Sequence, residues 1–563
     1  MAQPVTSATT LGSLENRLVT VDDLKALKKA VHDEMECIGC GFHQYRVVAV
    51  LGFGNVADAV EILAIGYMLT VYEESEGAMT PWESSLLTAA VFAGMLAGGL
   101  IGGVAGDIYG RKPVLLTTLA INAIAAFLSA FSPNIAWLIF FRALAGLGVG
   151  GVVAVLFALC LEHVPVSSRG RYVTILCSFW MVGAVLTAGT AWIMLGKYSN
   201  GEPILHLSWR WFAGIVGLPS FTCFMLAWWY VPESPHFLAS KGDAQGATSV
   251  LQYIHNVHHS DCRIQISFSS VKNNAKLVQK VEDSSPLALQ QKPNTEGSAS
   301  SHNAVCSWDS LRVVARLFER PNAGPTLLLM LCGFSLSFGS YGLSTWITKL
   351  FKSAGLANPF KNAFLFAGAN LPGNIVSLYL IDVIGHQRLL SCSLFMSSFC
   401  TLLFAFNVEG SKIIIVLISC LFNACTTAAW NGFGVLSAEN FPQELRTTGI
   451  SMVNCSNRLA AITAQFVNGF LMGPPSHLEA LLLVTTSVMV TGGFASRWIS
   501  YGGDDDIDAI SSDDLVVDPE ATPIFRDDEG ECSGLIRHDI VLHETNTNLN
   551  EARQREYKLV RRI

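Results

Sequence analysis

The decamer Gly103-Val-Ala-Gly-Asp107-Ile-Tyr-Gly110-Arg111-Lys112 stands between two apolar stretches of the chain. A degraded copy, Asp382-Val-Ile-Gly385-His386-Gln387-Arg388, follows at an offset of 275 residues. A second motif, Glu162-x-x-Pro165-x-x-x-Arg169, returns as Glu439-x-x-Pro442-x-x-x-Arg446 at an offset of 277 residues. Because both motifs recur at nearly the same distance, the sequence predicts an internal duplication, with one similar unit in each half.

The stretches around these motifs are long and apolar. A helix needs about 20 predominantly apolar residues to cross a bilayer, and the chain offers six such stretches, a long polar segment and then six more. They lie near residues 46–71, 84–106, 113–131, 135–158, 171–195, 209–230, 323–349, 361–382, 388–406, 411–436, 447–470 and 478–498. The sequence therefore predicts an all-α membrane protein with twelve transmembrane helices in two pseudo-symmetric six-helix halves.

The composition excludes several functional classes. Of the 563 residues, 51% are hydrophobic and 14% are charged, against about 25% charged in soluble proteins. The net charge of −8 and the lack of a basic stripe argue against a nucleic-acid partner. The sequence shows no nucleotide-binding loop and no catalytic triad. We therefore predict neither an enzyme nor an ATP-driven pump, and no cofactor.

The charges separate a near-neutral body from an acidic tail. From Asp504 onward the sequence holds 16 acidic and 7 basic residues, against 28 and 29 before it. Basic residues near the early spans follow the rule that they stay cytosolic, which predicts that both termini are cytosolic. Three lysines of the second half, Lys349, Lys352 and Lys361, would then lie on the opposite side.

These patterns divide the chain into five predicted parts. They are a cytosolic N-terminal segment 1–45, a six-helix half 46–230, a cytosolic central loop 231–322, a second six-helix half 323–498 and an acidic cytosolic tail 499–563. The tail carries Glu531-Cys-Ser-Gly-Leu535-Ile536 and Tyr557-Lys-Leu-Val560, which resemble signals read by clathrin adaptors. We therefore expect the plasma membrane or an endosomal or vesicular membrane, the alternative being a merely solvated tail.

Several motifs resemble those of the major facilitator superfamily. The decamer resembles its motif between spans 2 and 3, and Arg142-x-x-x-Gly146-x-Gly148-x-Gly150-Gly151 resembles the span 4 motif of the sugar-porter-like branch. Pro232-Glu233-Ser234-Pro235 resembles the sequence that follows span 6 there. Within that branch, stretches 52–61 and 86–95 resemble the synaptic vesicle 2-related transporters, and the niacin permeases and plant organic ion carriers are also similar. The resemblance implies a secondary transporter that works by alternating access.

Four charged residues lie deep inside predicted spans, where each costs at least about 2.5–3.5 kcal/mol on insertion. They are Asp58, Glu61, Arg142 and Arg458. The resemblance implies a proton-coupling pair between an acid of span 1 and the arginine of span 4, and we expect Asp58 to pair with Arg142. A permanent structural ion pair and a substrate contact are the alternatives. Glu61, one turn further along, would carry a second proton, hold a cationic substrate or hydrogen-bond within the bundle.

Polar and aromatic side chains of the second half form a candidate substrate site. Asn454, Arg458, Gln465 and Asn468 share one face of a predicted helix, and Arg458 would attract an anionic substrate. We place in the same site Asn370, Asn374, Trp430, Asn431 and Tyr341, together with Trp180 of the first half. The alternative for each is a role in helix packing, because polar residues also hold transmembrane helices together.

The repeated motifs predict gating loops. Carboxylates and guanidinium groups at helix ends form charge-assisted hydrogen bonds, which can hold one face of a bundle closed. The predicted gating residues are Asp107, Arg111, Lys112, Glu162, Arg169, Asp382, Arg388, Glu439 and Arg446. His386 and Gln387 replace the usual basic residues in the second copy. We therefore expect weaker charge-assisted contacts at that loop.

The sequence thus predicts a transporter for a small polar organic molecule, with a nicotinate-like anion as the favoured substrate and protons as the coupling ion. A hexose or an organic cation stays open, although spans 5 and 7 lack the glutamines typical of sugar porters. The alternative of another class is a membrane scaffold or receptor that transports nothing. His255, His258 and His259 form a small cluster, for which we predict no metal.

Overall fold

The computed structural model describes residues 21–196, 205, 207–258, 315–320, 322–408, 410–441, 445–473 and 476–499. These residues fold almost entirely into helices. In chain order the helices are α1 (Val21–Ile38), α2 (Phe42–Ser75), α3 (Pro81–Tyr109), α4 (Arg111–Ser129), α5 (Ile135–His163), α6 (Arg169–Leu195), α7 (Trp209–Ile215), α8 (Leu218–Tyr230), α9 (Pro235–Ser240), α10 (Ala244–His258), α11 (Ala323–Ser353), α12 (Pro359–Gly368), α13 (Asn370–Ile384), α14 (His386–Phe406), α15 (Lys412–Glu439), α16 (Arg446–Leu471) and α17 (Leu478–Arg497).

Within the described ranges, eleven helical segments are long and apolar enough to cross a membrane. Two of them combine a pair of helices, α7 with α8 and α12 with α13, each broken near a proline that cannot donate a backbone hydrogen bond. The twelfth helix, α16, lies below the same hydropathy threshold because its polar stripe crosses an otherwise apolar sequence. It packs against α3 and α11 inside the bundle. The protein thus has the predicted twelve membrane helices in two six-helix halves.

The duplication is visible at two equivalent glycines. Gly110 joins α3 to α4 with φ 109°, and Gly385 joins α13 to α14 with φ 81°. Both angles lie in the left-handed region that favours glycine. The sequence copies at an offset of 275 residues therefore form the same sharp connection in each half.

Close packing of α3 against α5 depends on small residues. A Cβ atom added to Gly102 would lie 2.6 Å from the Cα atom of Gly151. Small residues let transmembrane helices approach closely and gain van der Waals contact. The glycines of the span 4 motif thus set the distance between α3 and α5.

A small helical cluster sits beside the first half. Helix α1 packs on α9 and α10, and its buried core includes Leu27, Val31, Leu251 and Ile254. The side chain of Glu36 on α1 also accepts a hydrogen bond from the backbone of Val166. The N-terminal segment and the start of the central segment therefore form one unit.

The two halves meet mainly where α2 packs on α11, α3 on α16 and α6 on α12, with a smaller contact between α6 and α13. The end of the bundle that carries Gly110 and Gly385 is here called the terminal end. The opposite end, where α2 and α11 end, is called the far end. At the far end Gly66 of α2 touches the backbone of Thr345 of α11 so closely that a Cβ atom would overlap the Thr345 carbonyl.

Candidate functional site

The deepest charged pair joins α2 to α5. Arg142 Nη1 donates to Glu61 Oε1 at 2.8 Å, and the two side chains are 0% and 1% exposed. Arg142 also donates to the Ser129 hydroxyl and to the Ala126 carbonyl. The expectation that Asp58 pairs with Arg142 is therefore wrong. Asp58 and Glu61 lie three residues apart on one helix face, and the later position is the one that faces α5.

Asp58 points elsewhere, toward α6 and the second half. Its Oδ2 atom accepts a hydrogen bond from Trp180 Nε1 at 3.0 Å. Among the residues that the structure describes, none forms a hydrogen bond with its buried Oδ1 atom, and Asp58 as a whole is only 6% exposed. The cation whose charge acts on this carboxylate is Arg458, whereas Arg142 acts on Glu61. The structure thus contains an ion pair between Glu61 and Arg142 inside the first half. Asp58, in contrast, interacts electrostatically with Arg458 of the second half.

Arg458 lies in the middle of α16 and is surrounded by helices of both halves. Its guanidinium is 3.6 Å from Met95 Sδ of α3 and lies over the Tyr341 ring of α11, 5.9 Å from its centre. A thioether is a weak acceptor, and a guanidinium carries several further N–H donors. Arg458 is half-buried rather than fully buried. Its remaining donors are therefore available to an anionic group inside the bundle.

Aromatic rings surround this charged centre. The Tyr341 ring lies 5.5 Å from Phe92 and 5.7 Å from Trp430. Trp430 Nε1 donates to the Ser340 hydroxyl at 3.2 Å, which fixes its ring. Trp180, Tyr341 and Trp430 are each half-buried. Tyr341 thus links the Arg458 guanidinium to the rings of Phe92 and Trp430.

The other predicted substrate residues have partners of their own. Gln465 accepts from Trp346 Nε1 at 2.8 Å, and Asn370 accepts from Thr427 at 2.7 Å. Asn431 donates to Asn374 at 2.8 Å. The structure brings these residues together in pairs between neighbouring helices of the second half. Asn454 is exposed and accepts from Asn457 at 3.4 Å. A substrate contact by any of them stays a prediction.

The predicted gating residues of the first half form a network at the terminal end. Arg111 lies 2.5 Å from Asp107 and 3.4 Å from Glu162. Glu233, which sequence reasoning gave no role, accepts from the backbone N–H groups of Arg111 and Lys112 at 3.0 and 3.2 Å. A carboxylate at these free N–H groups caps α4.

The second half repeats this arrangement with different residues. His386 Nε2 lies 3.5 Å from Glu439 Oε1, at the positions equivalent to Arg111 and Glu162. Gln387 donates to the carbonyls of Ser496, Arg497 and Ile499, as Lys112 donates to the Trp228 carbonyl in the first half. The second motif therefore keeps two contacts of the first, the one to a glutamate of the neighbouring helix and the one to carbonyls at a helix end.

The remaining gating candidates have simpler surroundings. Arg169 donates to the Leu161 carbonyl at 3.2 Å, and Asp382, Arg388 and Arg446 are exposed at the terminal end. The predicted tail signals, His259 and the side chain of His258 lie outside the described residues. Among the residues that are described, no group of three His, Cys, Asp or Glu residues could hold a metal.

The far end carries ion pairs that sequence reasoning missed. Lys349 Nζ lies 2.6 Å from Glu73 Oε1, and Lys352 Nζ lies 2.7 Å from Glu74 Oε1. Across the described part of the chain, these are the ion pairs that join the two halves. Two of the three lysines that seemed to break the charge rule, Lys349 and Lys352, are thus partners of glutamates in the last turns of α2. The three glutamates in 73–76 were the available signal.

Comparison with known proteins identifies the same family throughout. The chain is 26% identical to the organic cation/carnitine transporter 7 of Arabidopsis thaliana, over 82% of this chain and 92% of that protein. It is 26% identical to the niacin transporter NiaP of Acinetobacter baylyi, over 81% and 93%. It is 25% identical to the human synaptic vesicle glycoprotein 2C, over 81% and 78%.

Solved structures with the same fold include the xylose transporter XylE from E. coli in its inward-open conformation. That structure covers 83% of this chain and 99% of its own, with a TM-score of 0.60 and 15% identity. A partially occluded inward-open form of the same protein gives a TM-score of 0.59. The family described as "Sugar (and other) transporter" matches residues 51–495. The chain therefore belongs to this family, whose members are major facilitator transporters and not enzymes.

Proposed function

We propose that the protein is a proton-coupled transporter of a small organic solute with an anionic group, of the nicotinate type. The observation that supports proton coupling is the buried ion pair between Glu61 on α2 and Arg142 on α5. Glu61 Oε1 and Arg142 Nη1 lie 2.8 Å apart. Within the described part of the chain, Glu61 Oε2 and Arg142 Nε are buried and have no hydrogen-bond partner. A pair with unsatisfied atoms on each side is costly to keep in a dry bundle, which supports a functional reason for it.

The pair can link proton uptake to movement. A carboxylate beside a guanidinium stays ionised, whereas an isolated carboxylate in a low-dielectric site binds a proton. If the conformational change also shifts α5 against α2 within the first half, the Glu61 carboxylate loses Arg142 and takes up a proton. Each state of the transporter would then favour one protonation state, which is the requirement for coupling.

The anionic group of the solute binds Arg458 in this proposal. Arg458 lies at the contact between the halves, beside Met95 of the first half and Tyr341 of the second. A solute at this position touches both halves and can bias their relative position. The far end is closed by ion pairs in this state, so the solute would reach the site from the terminal end.

Uptake into proteoliposomes tests the coupling. Radiolabelled nicotinate is offered with and without an imposed pH gradient, and the expected result is accumulation that depends on the gradient. Glu61→Gln should abolish this accumulation and leave exchange of solute between equal concentrations. Glu34→Gln, a change on the helix α1 outside the bundle, is the matched control. Accumulation by Glu61→Gln at the wild-type rate would contradict the proposed role.

We also propose a vesicular or plasma membrane location with both termini cytosolic. The proposal is supported by the similarity to a synaptic vesicle glycoprotein and by the basic residues near the early spans. Fluorescence of a pH-sensitive protein fused to the C-terminus tests the sidedness, because only a luminal or external fusion responds to the pH of that compartment. A response to luminal acidification would overturn the assignment.

A further inference from the structure

Two exposed thiols stand directly before the first membrane span. Cys37 lies in the last turn of α1, and Cys40 lies in the connection to α2, two residues before Phe42. Of the eleven cysteines in the described ranges, eight are buried or partly buried, and the third exposed one, Cys392, lies within the membrane helix α14. Because a cysteine reacts only where its sulfur is accessible, Cys37 and Cys40 are the candidates for modification outside the spans.

The turn that holds these thiols is fixed to the rest of the protein. Gly39 ends α1 with φ 72°, in the left-handed region that favours glycine, and its N–H group donates back into α1 at 3.2 Å. Ile38 is buried, and Glu36 accepts a hydrogen bond from the backbone that follows α5. The residues next to the two cysteines are thus anchored, while Cys37 and Cys40 themselves face outward.

The same turn lies at the level of the membrane surface. The span formed by α7 and α8, Trp209–Tyr230, has 22 residues, close to the about 20 that a bilayer requires, so Tyr230 marks the surface at the terminal end. The Arg46 guanidinium lies 5.4 Å from the centre of the Tyr230 ring and 6.0 Å from that of Phe42. Phe42 is 66% exposed, as is usual for aromatic side chains where a membrane meets water. Cys40 therefore lies beside the lipid headgroups.

Cys40 is also close to the start of a second span. It interacts electrostatically with the side chain of Tyr172, a buried residue in the first turn of α6. The Tyr172 ring lies 5.3 Å from the ring of Tyr45, in the first turn of α2. A hydrocarbon chain attached to Cys40 would therefore enter the bilayer beside the starts of α2 and α6.

We infer that Cys37 and Cys40 are S-acylation sites, at which a long-chain fatty acid is attached to each thiol. In the reaction, the cysteine thiolate attacks the carbonyl carbon of a long-chain acyl-CoA. A thioester bond to the cysteine sulfur forms, the thioester bond to coenzyme A breaks, and coenzyme A leaves as a thiol with the proton that the cysteine lost. Cysteines next to a membrane span are the usual substrates of this reversible modification. The inference goes beyond transport and rests on the proposed cytosolic location of the terminal end.

Two acyl chains would anchor the cluster of α1, α9 and α10. One acyl chain gives marginal membrane binding, whereas two give stable anchoring. Cys37 belongs to α1, which packs on α9 and α10. Acylation would therefore hold this cluster at the membrane surface.

Counting thioesters on the full-length protein from eukaryotic cells tests the inference. Free thiols are blocked with N-ethylmaleimide, hydroxylamine cleaves the thioesters, and each released thiol takes one polyethylene glycol maleimide, which shifts the gel band by one step. The double variant Cys37→Ser with Cys40→Ser should lose two steps relative to wild type, and each single variant should lose one. Cys392→Ser is the matched control that loses none. Equal numbers of steps in wild type and the double variant would overturn the inference.

Further outcomes separate the alternatives. If the thiols of Cys37 and Cys40 are released by a phosphine and not by hydroxylamine, they form a disulfide and the inference is wrong. If the pH-sensitive C-terminal fusion reports the cytosol and the double variant loses no step, the inference fails while the proposed location stands. If the fusion responds to luminal acidification, the location is wrong and acylation at this end falls with it. Loss of two steps in the double variant, with no gradient-driven uptake by wild type, upholds acylation and contradicts only the proposed coupling.

Discussion

Lys349 Nζ lies 2.6 Å from Glu73 Oε1 and joins the second half of the bundle to the first at the far end. The ammonium also lies over the Trp346 ring, 5.2 Å from its centre, and Glu73 accepts from the Ser84 hydroxyl at 3.5 Å. Both charged side chains are mostly shielded from solvent, with exposures of 15% and 20%. Such a pair is stronger than an exposed one, because less of its attraction is screened. We therefore expect this pair to hold the far end closed.

Reversing one charge of this pair should open the far end. In Lys349→Glu, two carboxylates face each other, and we expect the halves to separate there more often. A cysteine introduced at the buried Ser84 should then react several-fold faster with a membrane-impermeant maleimide than in the parent. The double variant Lys349→Glu with Glu73→Lys should restore slow labelling. Lys361→Glu, an exposed position at the same end, is the control. Unchanged labelling in Lys349→Glu would show that the pair does not close this end.

The buried pair inside the first half should behave differently. Removing one partner of a buried ion pair costs about 3–5 kcal/mol, because the other charge is left unpaired. We therefore expect Arg142→Gln to lower the thermal midpoint of the detergent-solubilised protein strongly. Arg142→Gln combined with Glu61→Gln should recover a large part of the loss, because no lone charge remains. A double variant as unstable as the sum of the single ones would show that the two residues do not act as a pair.

The sequence predicted the helices, the duplication and the identity of the buried charges. It could not predict which acid meets Arg142, because Asp58 and Glu61 share a helix face and differ only by a small rotation about its axis. That rotation is fixed by tertiary packing of α2 on α5 and α6. The Glu233 cap of α4 was also missed, because Glu233 and Arg111 are more than a hundred residues apart in the chain. Only tertiary packing brings them together.

The far-end ion pairs were predictable in principle. Glu73 and Glu74 follow the first span, and Lys349 and Lys352 end the seventh, so both sets are placed on one side of the membrane by span counting alone. The three lysines were read as exceptions to the charge rule, whereas charge complementarity explains Lys349 and Lys352. The polar pairs of the second half, such as Asn431 with Asn374, could not be predicted from the sequence. Their formation depends on how α13 and α15 are rotated relative to each other.

The terminal-end pair of the second half should be strengthened by a permanent charge. His386 Nε2 lies 3.5 Å from Glu439 Oε1, whereas Arg111 holds the equivalent position in the first half. In His386→Arg, a guanidinium that always keeps its charge faces Glu439. We therefore expect a gain in stability of up to about 1 kcal/mol, as is typical of partly exposed pairs. The thermal midpoint of the detergent-solubilised protein measures this gain, and an unchanged or lower midpoint in His386→Arg would contradict it.

The small helical cluster beside the first half should loosen in acid, because of His236 on α9. Burial lowers the pKa of His236 to about 4, and the nearby Arg169, His32 and His163 act in the same direction. The unfolded chain, with a histidine pKa of about 6.5, binds more protons than the folded one between these values. Stability therefore falls as pH drops from about 6.5 toward 4.

Hydrogen exchange of α1 measures this effect, since His32 of α1 lies 6.2 Å from the His236 ring. After correction for intrinsic rates, exchange in α1 should accelerate by up to about twentyfold between pH 7 and pH 5. His236→Asn should remove most of this acceleration, because no proton can then be bound at that position. His477→Asn, at an exposed site in the second half, should leave it unchanged. Equal acceleration in wild type and His236→Asn would place the acid sensitivity in another group.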